Sequence, residues 1–472
     1  MRRIVPALFL FTALAVVGCE TETPTNIGER PDLAVSLSSA DAEATESEYF
    51  LVGFGSEAEL NAAVASVGGK INRAHTEIGV AQVGGIDDSA AEALAGSAGI
   101  GWVERDLVMQ WTPTDEGLEA LDVGAAGPAT DPTLAFFYPC QWNMSQINAP
   151  GAWAMGEFGK ANAKVAVLDS GVDPFHLDLA GRIDLVNSVS LLSSPSICDD
   201  FVDDVGTMND YRWHGSFVSG IIASNGLTVA GVAPDAQIVG VKVLSCLGSG
   251  SFADVIAGIL YASNLSDVSV INMSLGGRLP KNATGGGRLV AAMNKAVNYA
   301  ETQGKLVVSS AGNNGADFDH DKNFVNVPAQ SGSGIAAWAG DVNGDLASYS
   351  NHGRSGAWVG AGGGDGIDPS PPLPGCLLPA SGQGGIVSVC STTSLFFPGC
   401  APGNFVLFNG TGTSFSAPAV SGVAALVNGK HNGSLRGGQL KTILARTADD
   451  IGPRGVDNLF SHGRVNAANA VK

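Results

Sequence analysis

From Lys164 onward the chain alternates short apolar runs with longer segments of helical pattern, and this alternation limits the available folds more than any other feature. KVAVLDSG, AQIVGVKVL, VSVINMSLGG and KLVVSSAGN read as buried strands. Between them HGSFVSGIIAS, FADVIAGILYASN and LVAAMNKAVNYAETQG read as helices. Apolar β-branched runs separated by helices imply an α/β fold, a mostly parallel sheet covered on both faces. In such sheets chemistry gathers beyond the C-terminal ends of the strands. Asp169, Ser274 and Asn313 all fall at predicted strand ends. At 472 residues the chain can bury a core of this size and carry a second small domain. Its 64 glycines have no regular period, which points to tight turns rather than a fibrous structure. The segment from Gly360 to Cys400, with PSPPLPG inside it, reads as an irregular insertion.

The N-terminal part is organised differently. Arg2 and Arg3 precede an apolar run, Ile4 to Val17, that ends in Gly18-Cys19. That is an export signal, too short for a persuasive membrane span. A polar stretch follows to about Glu48 and reads as a flexible tether. From Tyr49 to Trp111 the pattern becomes β-α-β-β-α-β, with YFLVGF and WVERDLVMQW as its outer strands. Ser56 starts the first of its two helices, and an aspartate of DDSAAEALAGSAGI caps the second. Trp111 to about Leu134 is polar and reads as a linker.

The formal net charge is -20, a field that repels phosphate backbones and argues against nucleic acid as a partner. Besides Cys19 there are six cysteines, at 140, 198, 246, 376, 390 and 400. An even number in an exported chain suggests up to three disulfides, with 15 pairings open. Cys376, Cys390 and Cys400 lie close enough in sequence to expect one local bridge. Their spacing lacks the CxxC pairs of a structural zinc site.

Four segments carry candidate chemistry. VAVLDSG puts Asp169 at the end of a hydrophobic strand, where a partly desolvated carboxylate needs a strong partner. HGSFVSGIIAS puts His214 at the head of a helix of small residues. NGTGTSFSAPAV puts Ser414 just before a helix, beside unpaired backbone N–H groups. VVSSAGNNG puts Asn313 just past a strand, where its amide can donate to an anion; Asn314 competes for that role. Each has a plainer reading: a structural or metal-binding aspartate, a capping histidine, an N-cap serine. Together they supply a nucleophile, a base, an orienting carboxylate and an anion donor, the parts that acyl transfer needs.

DSGVDPFHLDL, HGSFVSGI, NMSLGG, SSAGNNG and GTSFSAPAVSG occur in that order. In kind and order they resemble the motifs of the subtilisin-like serine protease (subtilase) family, over about Gln141 to Lys472. The resemblance implies a subtilisin-like three-layer fold and serine endopeptidase activity through an acyl-enzyme. It implies Asp169, His214 and Ser414 as the triad, and Asn313 with the Ser414 N–H as the oxyanion hole. Ser274, Leu275 and Gly276 would line the substrate cleft, with Leu275 favouring an apolar side chain before the cut. The unit at 49–111 resembles the family's ferredoxin-like inhibitory propeptide, which acts as chaperone and inhibitor.

The domains expected are then a signal at 1–18, a tether at 19–48, the propeptide, a linker with the processing site at 112–134 and a catalytic domain at 135–472. VVGC resembles the lipobox of bacterial lipoproteins, which implies a lipidated Cys19 and a monomer anchored at the outer membrane or cell surface. Extracellular release is the alternative. Catalysis would need no cofactor. The family often binds structural calcium, for which the runs Asp199, Asp200, Asp203, Asp204 and Asp317, Asp319, Asp321 are oxygen-rich candidates. Phe217 and Ala419 stand where relatives often carry histidine. An inactive peptide-binding protein would lack an intact triad, and a serine esterase of the α/β-hydrolase type would carry GxSxG with the order Ser, Asp, His. Neither pattern is present.

Overall fold

The computed structural model describes residues 44–112, 118–122, 131–283, 285–400 and 405–472. The signal, most of the tether and Cys19 lie outside the described residues.

The first elements are β1 (Thr45–Phe54), α1 (Glu57–Ser66), β2 (Lys70–His75), β3 (Val80–Gly84), α2 (Asp88–Ala95) and β4 (Ile100–Gln110). Ser56 accepts from the N–H of Glu59 and Asp87 from that of Ala90, so both helices start at the capping residues the sequence marks. The strands pair antiparallel in the order β2-β3-β1-β4. The two helices pack Leu60, Val64 and Leu94 onto Phe50, Val52 and Val83. Strand β2 alternates exposed and half-buried residues and therefore carries little apolar signal. The tether was expected to reach about Glu48; β1 starts at Thr45, where Thr45 and Glu46 pair with Val108 and Leu107. Within the expected linker at 112–134, Glu119–Asp122 forms β5 against a strand near the C-terminus.

The body continues with α3 (Trp142–Gln146), α4 (Ala149–Trp153), β6 (Lys164–Asp169), β7 (Val189–Ser190), α5 (His214–Ala223), β8 (Ile238–Lys242), β9 (Ser249–Ser251), α6 (Phe252–Asn264) and β10 (Val268–Met273). Then come β11 (Gly277–Pro280), α7 (Gly286–Thr302), β12 (Leu306–Ser310), β13 (Phe324–Val327), β14 (Ile335–Gly340), β15 (Ala357–Gly362) and β16 (Ile386–Val389). The last elements are β17 (Phe405–Gly410), α8 (Thr413–Lys430), α9 (Gly437–Thr447) and α10 (Ala467–Ala470). Seven strands form a parallel sheet in the order β15-β14-β12-β10-β6-β8-β7.

Successive side chains of a strand point to opposite faces, and β6 divides accordingly. Val165 and Val167 join the core with α5 and α8, while Ala166 and Leu168 join the core with α6 and α7. This is the subtilisin-like α/β architecture with a parallel central sheet between helical layers. Disulfides join Cys140 to Cys376, Cys198 to Cys246 and Cys390 to Cys400, the last being the local bridge expected. The insertion is less irregular than its composition suggests, since β16 lies inside it and pairs with β17. No helix among the described residues is long and apolar enough to cross a membrane.

Candidate active site

Asp169 ends β6 and His214 opens α5. Both are fully buried, and the fold brings them together across 45 positions of sequence. Nδ1 of His214 lies 2.8 Å from Oδ1 and 3.0 Å from Oδ2 of Asp169. That contact fixes the ring and leaves Nε2 as the free base. Nε2 is buried and has no hydrogen-bond partner among the described residues. The Asp169 carboxylate is itself held by the N–H of Ser170 at 2.7 Å.

Ser414 lies in the first turn of α8 and is 3 % exposed. The sequence placed it just before the helix; the N-cap is instead Gly412, with φ 155. In the first turn backbone N–H groups have no intrahelical acceptor. The ring of the adjacent Phe415 lies 6.0 Å from that of His214, which places the Ser414 turn beside the imidazole. Asn313 follows β12, and its Oδ1 accepts from the N–H of Thr413 at 3.0 Å and from its hydroxyl at 2.7 Å. The amide nitrogen is thereby left available as a donor. A β-carbon on Gly412 would sit 3.5 Å from it, so it lies close to the same turn. Asn314 lines the same cleft, and its backbone N–H donates to Asn351.

A cleft of about 600 Å³ runs past Ser414 and Asn313. Gly276 and Gly277 form one wall. Ser274 and Leu275, expected beside it, are fully buried and do not line it. The Ser274 hydroxyl donates to the backbone oxygen of Ser414 at 2.7 Å, so it braces the α8 turn. The Leu275 side chain points into the core shared with α6 and α7, because alternate residues of this extended segment face opposite ways. Met109 to Thr112, at the end of β4 and just past it, line the same cleft. There β4 pairs antiparallel with β9, and the N–H of Gly276 donates to the backbone oxygen of Trp111 at 2.9 Å. The chain's own segment is thus laid as a strand between the two walls.

One residue that sequence reasoning missed is Asp210, fully buried beneath the Asp169–His214 pair. It accepts from the Ser170 hydroxyl at 2.9 Å and from the N–H groups of Trp213 at 2.9 Å and Ser216 at 2.8 Å. Trp213 immediately precedes His214 and has φ 150, a conformation that side-chain-bearing residues rarely adopt. Burial pushes the Asp210 carboxyl above its ordinary range against the hydrogen bonds of Ser216, and the charge of Asp169 adds to the rise. An acid four residues before the histidine was the available sequence signal.

Several carboxylates of the acidic runs are engaged by backbone N–H groups. Asp199 accepts from the N–H groups of Ser196, Asp204 and Val205, and Asp203 from that of Gly206. Asp317, Asp319 and Asp321 likewise close on backbone N–H groups of their own loop and of Arg354 and Ser355. Among the described residues, metal-ligand spacing occurs at Cys198, Asp204 and Cys246. The two sulfurs there are bonded to each other, and Asp204 pairs with the Lys242 ammonium at 2.6 Å.

A family model described as the Subtilase family matches residues 160–463. The chain is 33% identical over 333 residues to Subtilisin Savinase from Lederbergia lenta, covering 70% of this chain and 98% of that protein. It is 29% identical over 344 residues to Thermitase from Thermoactinomyces vulgaris, covering 72% of this chain and 99% of the relative. Among solved structures, the epidermin leader peptide processing serine protease of Staphylococcus aureus superposes with a TM-score of 0.71 at 22% identity. That likeness covers 90% of this chain and 98% of the other, and it speaks to the fold.

Proposed function

The chain belongs to the subtilase family and is a subtilisin-like serine endopeptidase, and on that premise we propose that it cuts protein substrates through an acyl-enzyme on Ser414. His214 Nε2 takes the Ser414 proton as Oγ attacks the peptide carbonyl. Asp169 holds the imidazolium that forms. The Asn313 amide and the Ser414 N–H receive the developing oxyanion, as preorganised donors should. Collapse expels the amine, protonated by His214, and water then deacylates by the same route reversed. The observation that carries this reading is the Asp169–His214 contact at 2.8 Å with Nε2 left unpartnered beside the Ser414 turn. Main-chain pairing in the cleft favours broad specificity. Ala311, Val327 and Ala329 on its wall support an apolar preference before the cut bond, the role first assigned to Leu275.

The α+β unit at 49–111 serves as propeptide. Its support is the segment from Val108 to Trp111, which pairs with β9 and accepts from the N–H of Gly276 beside the cleft. Until it is cut within 112–134 it blocks substrate, and it helps a sheet rich in non-local contacts to form. The remaining chain, 135–472, is the catalytic domain. Export by residues 1–18, lipidation at Cys19, a tether from there and a monomer at the outer membrane or cell surface complete the reading. The test is intact mass with hydrolysis of a denatured protein. Wild type sheds its N-terminal unit and hydrolyses the substrate, and Ser414→Ala does neither. An alanine variant that still matures and cuts would sink the assignment.

A further inference from the structure

Strand β5 has a partner that its sequence does not announce. Glu119–Asp122 pairs antiparallel with the start of β17, with Glu119 opposite Phe408 and Asp122 opposite Phe405. The opposite edge of β17 is taken by β16, where Ser388 faces Leu407. Strand β17 leads directly into Gly412 and Ser414, so β5 runs away from the nucleophile as it proceeds from Glu119 to Asp122. Earlier in the chain, Trp111 and Thr112 lie along the cleft that Ser414 lines. In chain order, residues up to 112 thus lie at the cleft and residues 118–122 on the strand that leads into Ser414, the order that the two sides of a bound substrate would take.

We propose that the outer edge of β17, at Phe405–Phe408, is a docking edge for the part of a protein substrate that follows the cut bond, and that β5 holds this edge in the unprocessed chain. The inference rests on Ser414 as nucleophile. The partner is an extended polypeptide. Recognition is by main-chain hydrogen bonds to a sheet edge, with alternate side chains seated on the surface beneath. Leu118 and Leu121 show what that surface accepts, since both pack on the apolar cluster of Val406, Leu407 and Phe408. Glu119, Ala120 and Asp122 are exposed. A four-residue strand with so little buried surface is exchangeable once it is no longer joined to the propeptide.

The test uses processed wild-type protein and three peptides of the chain's own sequence. One spans 108–124, one stops at 117, and one spans 108–124 with Ala120→Pro and Leu121→Pro. The long peptide should have a KM about tenfold below the other two, with kcat within about twofold, since one or two strand hydrogen bonds are worth about that factor. In a Leu118→Asp/Leu121→Asp protein cut after Gly117, which keeps its own strand but cannot seat it, the advantage should grow. Equal KM for the three peptides overturns the docking edge and leaves the endopeptidase reading intact. Equal losses on all three peptides in the double variant would also overturn it, by giving β5 a purely structural role. No cleavage of any peptide by folded, processed protein overturns both readings.

Discussion

Asp210 is the residue whose removal should most clearly separate positioning from chemistry. In Asp210→Ala, the N–H groups of Trp213 and Ser216 and the hydroxyl of Ser170 lose their acceptor in a fully buried place. At about 1–3 kcal/mol for each such group, and with some relaxation, the fold loses about 3–5 kcal/mol. That is a large part of ordinary stability but less than the whole. The first turn of α5 loses its anchor, and Trp213 can leave its strained φ of 150. His214 follows Trp213 and must move with it. A displacement near 1 Å costs about 100-fold in rate. The Gly276 wall and β9 do not depend on Asp210, so KM should barely change. Asp210→Asn keeps one acceptor oxygen but turns an NH2 group toward an N–H donor, so its loss should be smaller, about tenfold. The assay is steady-state hydrolysis of a fluorogenic peptide, normalised by active-site titration so that misfolded protein is not counted. An alanine variant with kcat within threefold of wild type would refute the reasoning.

Three further outcomes are expected. Asn313→Ala should lower kcat by about 100- to 1,000-fold with little change in KM, measured on the same peptide. Lys242→Met strands the buried Asp204 charge and should cost about 3–5 kcal/mol in a denaturant melt, whereas Lys242→Met/Asp204→Asn should recover most of it. Release of the N-terminal unit should depend on pH through Asp106. Burial first, and then the charge of Asp254, pushes its carboxyl up to about 7, and it faces Gln82, Ser251 and the N–H of Ala253, with Arg73 paired to Asp254. A released Asp106 titrates near 3.8, so docking takes up a proton between these values. Docking is then strongest below about pH 4, weakens by up to tenfold per unit as pH rises to about 7, and levels off above that. Asp106→Asn should flatten the release rate measured against pH across this window.

The sequence made the scaffold legible because strands buried on both faces and helices between them have distinct apolar patterns. It also exposed Asp169, His214, Asn313 and Ser414, each at the end of such an element. It could not show their convergence, because 45 positions separate Asp169 from His214 and 100 separate Asn313 from Thr413. Side-chain direction was a second limit. Ser274 and Leu275 sit in the expected segment, but one braces the Ser414 turn and the other fills a core. Strand β5 escaped notice for a third reason. Leu118 to Asp122 is short and lies in a polar, Gly-rich stretch, and its order comes from an edge about 285 positions away.

The central claim concerns one oxygen atom, and covalent labelling tests it most directly. Processed wild-type protein is treated with a fluorophosphonate probe, digested and mapped by mass. The account predicts one adduct per chain, on the peptide containing Ser414, and none on a Ser414→Ala protein freed of its N-terminal unit by an added protease. An adduct on another residue, or folded and processed wild type that stays unlabelled, would contradict it.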